Sequence, residues 1–252
     1  MDSWGWWPLF LVCAWAAEVI GTIAGFGAAT ILTPIAVLFM DVKTAIAIVA
    51  CFHLFGNASR LTFFWRHIHR PTWAQFGLTG VLCSVAGAWL TASLPSDAVK
   101  GLFGVFLLIY VGLSGLVPSG LQVPATSWAL LGGGVASGFV AGLIGTGGAI
   151  RSACLLAFGL PRDAYLGTSA AIALVVDATR LPVYLAEQFI PWRMLPVVAS
   201  LILVAFAGAW MGQRLVRRVP PTVFRWLILG MLALMGLKLC VDGWRGLVSS
   251  SA

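Results

Sequence analysis

Seven polar side chains that can carry a charge or make several hydrogen bonds interrupt otherwise apolar stretches of the chain. They are Glu18, His53, Asn57, Arg60, Arg151, Asp177 and Arg180. Such groups are costly inside a membrane and are usually functional where they occur there. Arg151 and Arg180 could bind an anion. Glu18, His53 and Asp177 could carry a coupling proton, or they could balance the arginine charges.

Spacing places several of these residues on two helical stripes. His53, Asn57 and Arg60 stand at positions i, i+4 and i+7, which lie on one face of a helix, and Asn57 is a candidate substrate ligand there. The equivalent stripe later in the chain carries Ser169, Asp177, Arg180 and Tyr184. Two simpler interpretations stay open. Asp177 and Arg180 could form an ion pair that neutralises itself, and Arg60 could extend to the membrane surface.

Two glycine clusters give a second chemical signal. The first cluster and the candidate substrate ligand beside it are Gly25, Gly27 and Thr30. The second cluster and its neighbouring candidates are Gly145, Thr146, Gly147, Gly148, Arg151 and Ser152. Near the start of the next helix, Thr168 and Ser169 are further candidate ligands. Glycine lets a ligand approach the backbone closely, and a helix that begins after a break offers unpaired N–H groups and the positive end of its dipole. Two such helix starts would form an anion site. Helix packing is the alternative, above all for Gly21 and Gly138, and Thr168 and Ser169 could instead cap their helix.

Composition indicates an integral membrane protein. Of the 252 residues, 60% are hydrophobic and 9% are charged, whereas about a quarter of the residues in a soluble domain are charged. Apolar runs of about 20 residues, long enough to cross a bilayer as a helix, recur along the chain. The net charge of +7 is explained by basic cytoplasmic loops, not by a nucleic-acid partner. The expected surroundings are the lipid bilayer, and no oligomeric state is predicted.

The sequence offers little support for catalysis or metal binding. Its five cysteines stand singly, without a CxxC pair, and it has three histidines. No pattern of a nucleophilic catalytic site or of a phosphate-binding P-loop is present. We therefore predict no enzyme activity, no catalytic residue, no metal and no cofactor.

An internal repeat relates the two halves of the chain. With an offset of 120 positions, Gly25-Phe26-Gly27 aligns with Gly145-Thr146-Gly147, and Arg60 aligns with Arg180. The first repeat is predicted to span residues 1–117, with a broken helix at 9–40 and helices at 44–65, 73–95 and 98–117. Residues 118–127 form a linker. The second repeat spans 128–252, with a broken helix at 128–160 and helices at 164–186, 194–215 and 222–241.

Loop charges predict that the two repeats are inverted. The loop after the second apolar block is basic in the first repeat, with Arg66 and Arg70, whereas the loop after the third block is basic in the second repeat, with Arg214, Arg217 and Arg218. If basic loops face the cytoplasm, equivalent loops lie on opposite sides and both chain termini lie outside. The expected fold is an all-α polytopic membrane protein with two inverted-topology repeats, each a glycine-broken helical hairpin followed by about three transmembrane helices. Such repeats are typical of secondary transporters, which bind substrate near the midplane between them.

The motifs and the duplication resemble the TauE/SafE-type sulfite exporter family. The resemblance rests on "GFGAATILTP" in the first half and on "GTGGAI" and "FGLPRDAYLGTSAAIAL" in the second. It implies a multi-pass transporter of the cell inner membrane that moves sulfur-containing anions, mostly outward. The residues that match the family pattern by position are Gly25, Gly27, Gly145, Gly147, Gly148, Thr168 and Ser169. The chain departs from that pattern at Arg151-Ser152 and at Cys154, and the added arginine suggests a cation dedicated to an oxyanion.

The predicted function is secondary transport, in the outward direction, of a small sulfur-containing oxyanion such as sulfite or a small organosulfonate. The anion is expected near the midplane between the repeats. Two alternatives stay open: a passive anion channel, and a membrane-embedded assembly or sensor subunit that transports nothing. Flux without saturation or response to a pH gradient would favour the channel, and the absence of both flux and binding would favour the subunit.

Overall fold

The structure, a computed structural model, describes residues 4–24, 27–116, 124–215 and 221–250. The described residues form α-helices and short 3-10 helices, and no strand occurs among them. The α-helices are α1 Trp7–Ala24, α2 Ala29–Ala36, α3 Val42–Phe64, α4 Arg70–Ser93, α5 Ser96–Leu116, α6 Ser127–Ile144, α7 Gly148–Ala157, α8 Arg162–Ala186, α9 Leu195–Leu215 and α10 Pro221–Ser250. The 3-10 helices are Trp4–Trp6, Trp65–His67 and Trp192–Met194.

Within these ranges, six helices are long and apolar enough to cross a membrane: α3, α4, α5, α6, α8 and α9. Two further segments, Trp7–Ile23 and Gly148–Ala157, are apolar but shorter. Many large apolar side chains are exposed on the outside of the bundle, as expected for a surface that faces lipid and not water. The predicted all-α polytopic membrane protein is confirmed.

Local signals fix where several helices begin or end. Asp41 caps α3 by accepting a hydrogen bond from the Lys43 N–H at 2.9 Å, and Thr126 caps α6 by accepting one from the Ala129 N–H at 3.2 Å. At its other end, α6 stops because Gly145 adopts a left-handed conformation with φ +83°, which favours glycine.

The helical structure is interrupted at both glycine clusters. α1 ends at Ala24 and α2 begins at Ala29, whereas α6 ends at Ile144 and α7 begins at Gly148. Gly25 lies outside the described residues, as do residues 117–123 in and beside the predicted linker. Each break is followed by a short helix that begins inside the bundle.

Equivalent helices of the two halves pack in opposite directions. Gly167 at the start of α8 lies against the Phe64 backbone at the end of α3. α5 and α10 are also antiparallel, because Gly104 lies against Cys240 while Gly101 lies against Gly243. Two halves related by inversion would make such contacts, and the inverted topology itself stays a prediction.

The helix contacts between the two halves also occur in matching pairs. α4 of the first half packs on α6 and α8 of the second half, and the equivalent helix α9 packs on α1 and α3 of the first half. The α4 and α6 backbones approach closely where a Cβ atom on Gly138 would meet Gly80, whereas Gly21 lies against Gly27 and Ala28 inside its own break. Gly138 is therefore a packing glycine, and Gly21 supports the turn of the first break.

Apolar clusters hold the helices of the site together. One joins α1, α2, α3 and α9 around Phe10, Leu32 and Phe52, and another joins α4, α6, α7 and α8 around Phe76 and Leu155. Further clusters connect α3 to α8 and α5 to α10. The predicted site residues lie on helices that these clusters fix in place.

Candidate functional site

The two helix breaks lie side by side. Thr30, in the first turn of α2, and Thr146, between α6 and α7, share a hydrogen bond of 2.7 Å between their hydroxyl oxygens. Both side chains are buried, and α2 packs against α7. The structure thus brings together two glycine-containing stretches from opposite halves of the chain.

Both helices that follow the breaks begin without a side-chain cap. α2 begins at Ala29 and α7 begins at Gly148, and no N-cap side chain hydrogen-bonds to either helix start. The first N–H groups of each helix therefore face the break together with the positive end of the dipole. Gly147 lets α7 approach α6 closely, where the Ser137 hydroxyl donates to its carbonyl at 2.8 Å.

Arg151 is a buried cation without a counter-ion among the described residues. Only 4% of this residue is exposed. Its Nε donates to the Ser169 hydroxyl at 3.0 Å, and no Asp or Glu of the described residues forms an ion pair with it. An unpaired charge in a low-dielectric interior is unfavourable, so a bound anion would supply the missing partner.

The other predicted hydroxyl ligands point in two directions. Ser152, next to Arg151 on α7, accepts a hydrogen bond from the Tyr165 hydroxyl at 2.9 Å. Thr168 accepts one from the His69 N–H at 2.9 Å, at the turn between α3 and α4. The Thr168 hydroxyl therefore holds that turn against α8 and is not directed at Arg151.

His53 links the two polar stripes and faces the first break. Its Nδ1 lies 2.7 Å from Asp177 Oδ2, and the Asn57 amide donates to the His53 carbonyl at 2.8 Å. The other ring nitrogen, Nε2, is buried and has no hydrogen-bond partner among the described residues. It lies beside Gly27, where an added Cβ atom would be 2.5 Å from Nε2.

Arg60 forms an ion pair with Glu18 of α1. Its Nη2 and Nε donate to Glu18 Oε1 at 2.5 and 3.2 Å, and its Nη1 donates to Asn57 Oδ1 at 3.1 Å. Gly56 makes room for the carboxylate, because a Cβ atom there would lie 2.8 Å from both of its oxygens. Arg60 is thus buried and paired inside the bundle, which excludes the interpretation that it extends to the membrane surface.

Asp177 and Arg180 form an ion pair that also holds the end of α6. Arg180 Nη2 and Nε donate to Asp177 Oδ1 at 2.7 and 3.0 Å. The same guanidinium donates to the Ala141 carbonyl and, at 3.4 Å, to the Gly145 carbonyl, and Tyr184 donates to another carbonyl of this turn. The Ala141 carbonyl also accepts from the Gly145 N–H at 3.0 Å, so Arg180 adds a charged donor at the end of α6 and complements the negative end of the dipole.

The buried charges add up to a net positive charge. The buried arginines and carboxylates of the site are Arg60, Arg151, Arg180, Glu18 and Asp177. Three positive charges minus two negative charges leave one uncompensated positive charge when His53 is neutral. Asp177, Arg60 and Arg180 all act electrostatically on Arg151, so an anion beside Arg151 would neutralise the whole group.

Sequence reasoning missed three buried residues at the site. Tyr165 and Ser137 make the hydrogen bonds described above, and the Thr33 hydroxyl is buried without a partner among the described residues. Spacing could have identified two of them, because Tyr165 stands four positions before Ser169 and Thr33 stands three positions after Thr30. Ser137 offers no comparable signal.

Membrane-length helices, paired helix breaks and a buried net positive charge together define a polytopic membrane protein of the transporter class. The family model of the sulfite exporter TauE/SafE family matches residues 9–239. The chain therefore belongs to this family of membrane transporters, as the motifs in the sequence indicate. Comparisons with curated proteins and with solved structures gave no match.

Proposed function

We propose that the protein is a secondary transporter that exports a small sulfur-containing oxyanion, such as sulfite or a small organosulfonate, across the cell inner membrane. The anion binds near the middle of the bilayer, between the two repeats. The observation that carries this proposal is Arg151, which is 4% exposed and forms no ion pair with a described residue. A sulfur oxyanion supplies both the missing charge and several acceptor oxygens.

The two helix starts match the shape of such a ligand. An oxyanion with several oxygens on one sulfur accepts hydrogen bonds from different directions, here from the first N–H groups of α2 and α7 and from Arg151. Gly27 keeps a side chain out of the space beside His53 Nε2, and Thr30 and Thr146 supply hydroxyls near the two helix starts. Ser152 and Ser169 complete the α7 and α8 side of the proposed site.

Other predicted ligands are better explained as the framework of the site. The guanidinium of Arg180 is occupied by Asp177 and by the end of α6, and the Thr168 hydroxyl is occupied by the turn before α4. Asn57 connects His53 to Arg60. We therefore assign Arg180, Thr168 and Asn57 to positioning the groups that contact the anion.

The carboxylates balance arginine charges in this proposal. Glu18 is paired with Arg60 and Asp177 with Arg180, so each carboxylate lies against a neighbouring cation. The uncompensated charge is then left to Arg151 alone. The outward direction of transport follows the family's description as sulfite exporters.

A binding experiment on purified protein tests the proposal. The protein in detergent is screened by thermal shift against sulfite, thiosulfate, sulfate and sulfoacetate, with chloride as the control anion. A ligand that binds only the folded state stabilises it by about 2.7 kcal/mol at a concentration of 100 Kd. At least one sulfur oxyanion is expected to raise the unfolding temperature, and to cross the membrane of proteoliposomes with saturable kinetics.

Arg151→Leu gives the decisive comparison. Charged hydrogen bonds contribute about 1.5–3 kcal/mol each, so the anion is expected to bind roughly a hundredfold more weakly. Arg193→Leu, which removes an exposed arginine outside the buried cluster, is the matched control and should bind like the parent protein. Unchanged affinity in Arg151→Leu would show that the arginine is structural and would overturn the proposed site.

A further inference from the structure

We propose that His53 takes up a proton when the anion binds, so that each anion crosses the membrane together with one proton. This inference rests on the proposed function and names the coupling group of the same site. It follows from the surroundings of the two ring nitrogens. Nδ1 is hydrogen-bonded to Asp177, whereas Nε2 has no hydrogen-bond partner among the described residues.

The contact with Asp177 fixes a proton on Nδ1. An ionised carboxylate only accepts hydrogen bonds, and Asp177 already accepts two from Arg180. At 2.7 Å from Asp177 Oδ2, the ring nitrogen must therefore be the donor. The Asn57 amide lies 3.1 Å from the same nitrogen, but it cannot donate to it, because a protonated Nδ1 has no free lone pair.

The state of Nε2 then depends on the ligand. In the neutral ring, Nε2 is an acceptor without a donor among the described residues, and such a buried acceptor costs about 1–3 kcal/mol. Nε2 faces the Gly27 turn at the start of α2, where the anion is proposed to bind. A bare lone pair repels the oxygens of an anion, whereas a protonated Nε2 donates a charged hydrogen bond to them.

The charges around His53 couple the proton to the anion. Burial makes a charge on the ring costly in itself. Asp177 of α8 is hydrogen-bonded to the ring and would attract a positive charge on it, whereas Arg60 of α3 and Arg151 of α7 would repel that charge. An anion bound between His53 and Arg151 cancels this opposition, so that each partner strengthens the binding of the other.

Among the described residues, no other charged group on the elements packed against α3 contacts the His53 ring. Arg180 of α8 is directed at the Asp177 Oδ1 atom, Glu18 of α1 is paired with Arg60, and α2 carries no charged side chain. The other charged residues of the neighbouring elements lie at helix ends or in turns: Arg66 and His67 of the 3-10 helix, Asp97 and Lys100 of α5, Arg162 and Asp163 of α8, and Arg214 of α9. Cys51 and Tyr184, the other titratable groups nearby, are neutral in their protonated forms.

In this proposal, the two repeats contribute different groups to the anion site. In the repeat alignment, His53 corresponds to Ala173, and Arg151 corresponds to Ile31. The first break therefore has a group that gains and loses a proton, whereas the second break has a fixed positive charge. His53 and Arg151 each lack a counterpart in the other half. We therefore assign both residues to ligand binding and not to the architecture that the two halves share.

Calorimetry in buffers of different ionisation enthalpy measures the protons taken up per bound anion. The full-length protein in detergent is titrated with sulfite and with methanesulfonate. The parent protein is expected to take up about one proton more per anion than His53→Gln, and its affinity should fall by up to about tenfold per pH unit once the ring is neutral. The difference between the two proteins cancels any proton that the ligand itself exchanges. His67→Gln, at an exposed histidine of the turn before α4, should behave like the parent.

Each outcome decides between the proposals. Anion binding with equal proton uptake in the parent and in His53→Gln would overturn the role of His53 and leave the proposed function intact. Failure of the parent protein to bind any sulfur oxyanion would overturn both. If His53→Gln does not fold, methanesulfonate binding to the parent protein decides, because this sulfonate does not titrate near neutral pH. Zero proton uptake in that measurement would overturn the inference.

Discussion

The hydroxyl oxygens of Thr30 and Thr146 lie 2.7 Å apart inside the bundle, although 116 positions separate the two residues in sequence. This hydrogen bond ties the first turn of α2 to the break before α7. It therefore sets the distance between the two helix starts that we assign to the anion.

A double-mutant cycle is expected to show that these two residues are coupled. Thr30→Val or Thr146→Val alone leaves the partner hydroxyl buried without a hydrogen bond, at a cost of about 1–3 kcal/mol. The double variant removes both hydroxyls. Its loss of unfolding free energy should therefore be smaller than the sum of the losses in the two single variants, by a coupling energy of about 0.5–3 kcal/mol. Unfolding in detergent measures the free energies, and strictly additive effects would contradict the hydrogen bond.

Gly27→Ala is expected to weaken both the fold and the site. Gly27 has φ +91°, and a Cβ atom there would lie 2.5 Å from His53 Nε2. The left-handed backbone alone costs an L-residue about 1–2 kcal/mol, and the methyl group would also occupy the proposed anion position. Unfolding temperature and anion affinity should both fall. Gly112→Ala is the control, because nothing lies within 4 Å of its added Cβ atom, and equal behaviour of the two variants would contradict this geometry.

Arg180→Leu and Arg151→Leu are expected to fail in different ways. Removing one partner of a buried ion pair costs about 3–5 kcal/mol, and Arg180→Leu also removes the charged donor that contacts the Ala141 and Gly145 carbonyls at the end of α6. Arg151→Leu removes a charge that forms no ion pair with a residue in the described part of the chain, so that variant should stay folded. Thermal unfolding of both proteins without ligand tests the difference. A stable Arg180→Leu protein that had lost only anion affinity would place Arg180 on the ligand instead.

The loop after α3 and the loop after α8 are expected on opposite sides of the membrane. The two helices are antiparallel, so His67 and Glu187 lie at opposite ends of the pair. The His67 end carries Arg66, Arg70 and Arg162 and should face the cytoplasm. On intact cells, a membrane-impermeant maleimide should label Glu187→Cys and not His67→Cys, with the parent chain as the control for native cysteines.

Labelling of both loops from one side would contradict the antiparallel pairing, and labelling of the His67 end alone would reverse the orientation. Reporters fused to the two chain termini give an independent measurement. Both are expected outside, and a cytoplasmic signal from either would contradict the predicted inverted topology.

The sequence by itself determined the class of protein and where its unusual residues stand. Low charge and recurrent apolar runs specify membrane helices, because each apolar side chain contributes independently of its neighbours. Periodicity placed His53, Asn57 and Arg60 on one helix face for the same local reason. The duplication showed that both halves share their glycine clusters, and that Arg151 has no counterpart in the first half.

Only the tertiary structure decided which of the buried charges are already paired. Glu18 meets Arg60, His53 meets Asp177, and Arg180 meets the end of α6 across helices that are far apart in the chain. The energetic cost of a charge in a low-dielectric interior depends on whether it is paired. Pairing depends on the distance between helices, which local sequence does not encode. Among the described residues, this pairing leaves Arg151 without a counter-ion and the Nε2 atom of His53 without a hydrogen-bond partner.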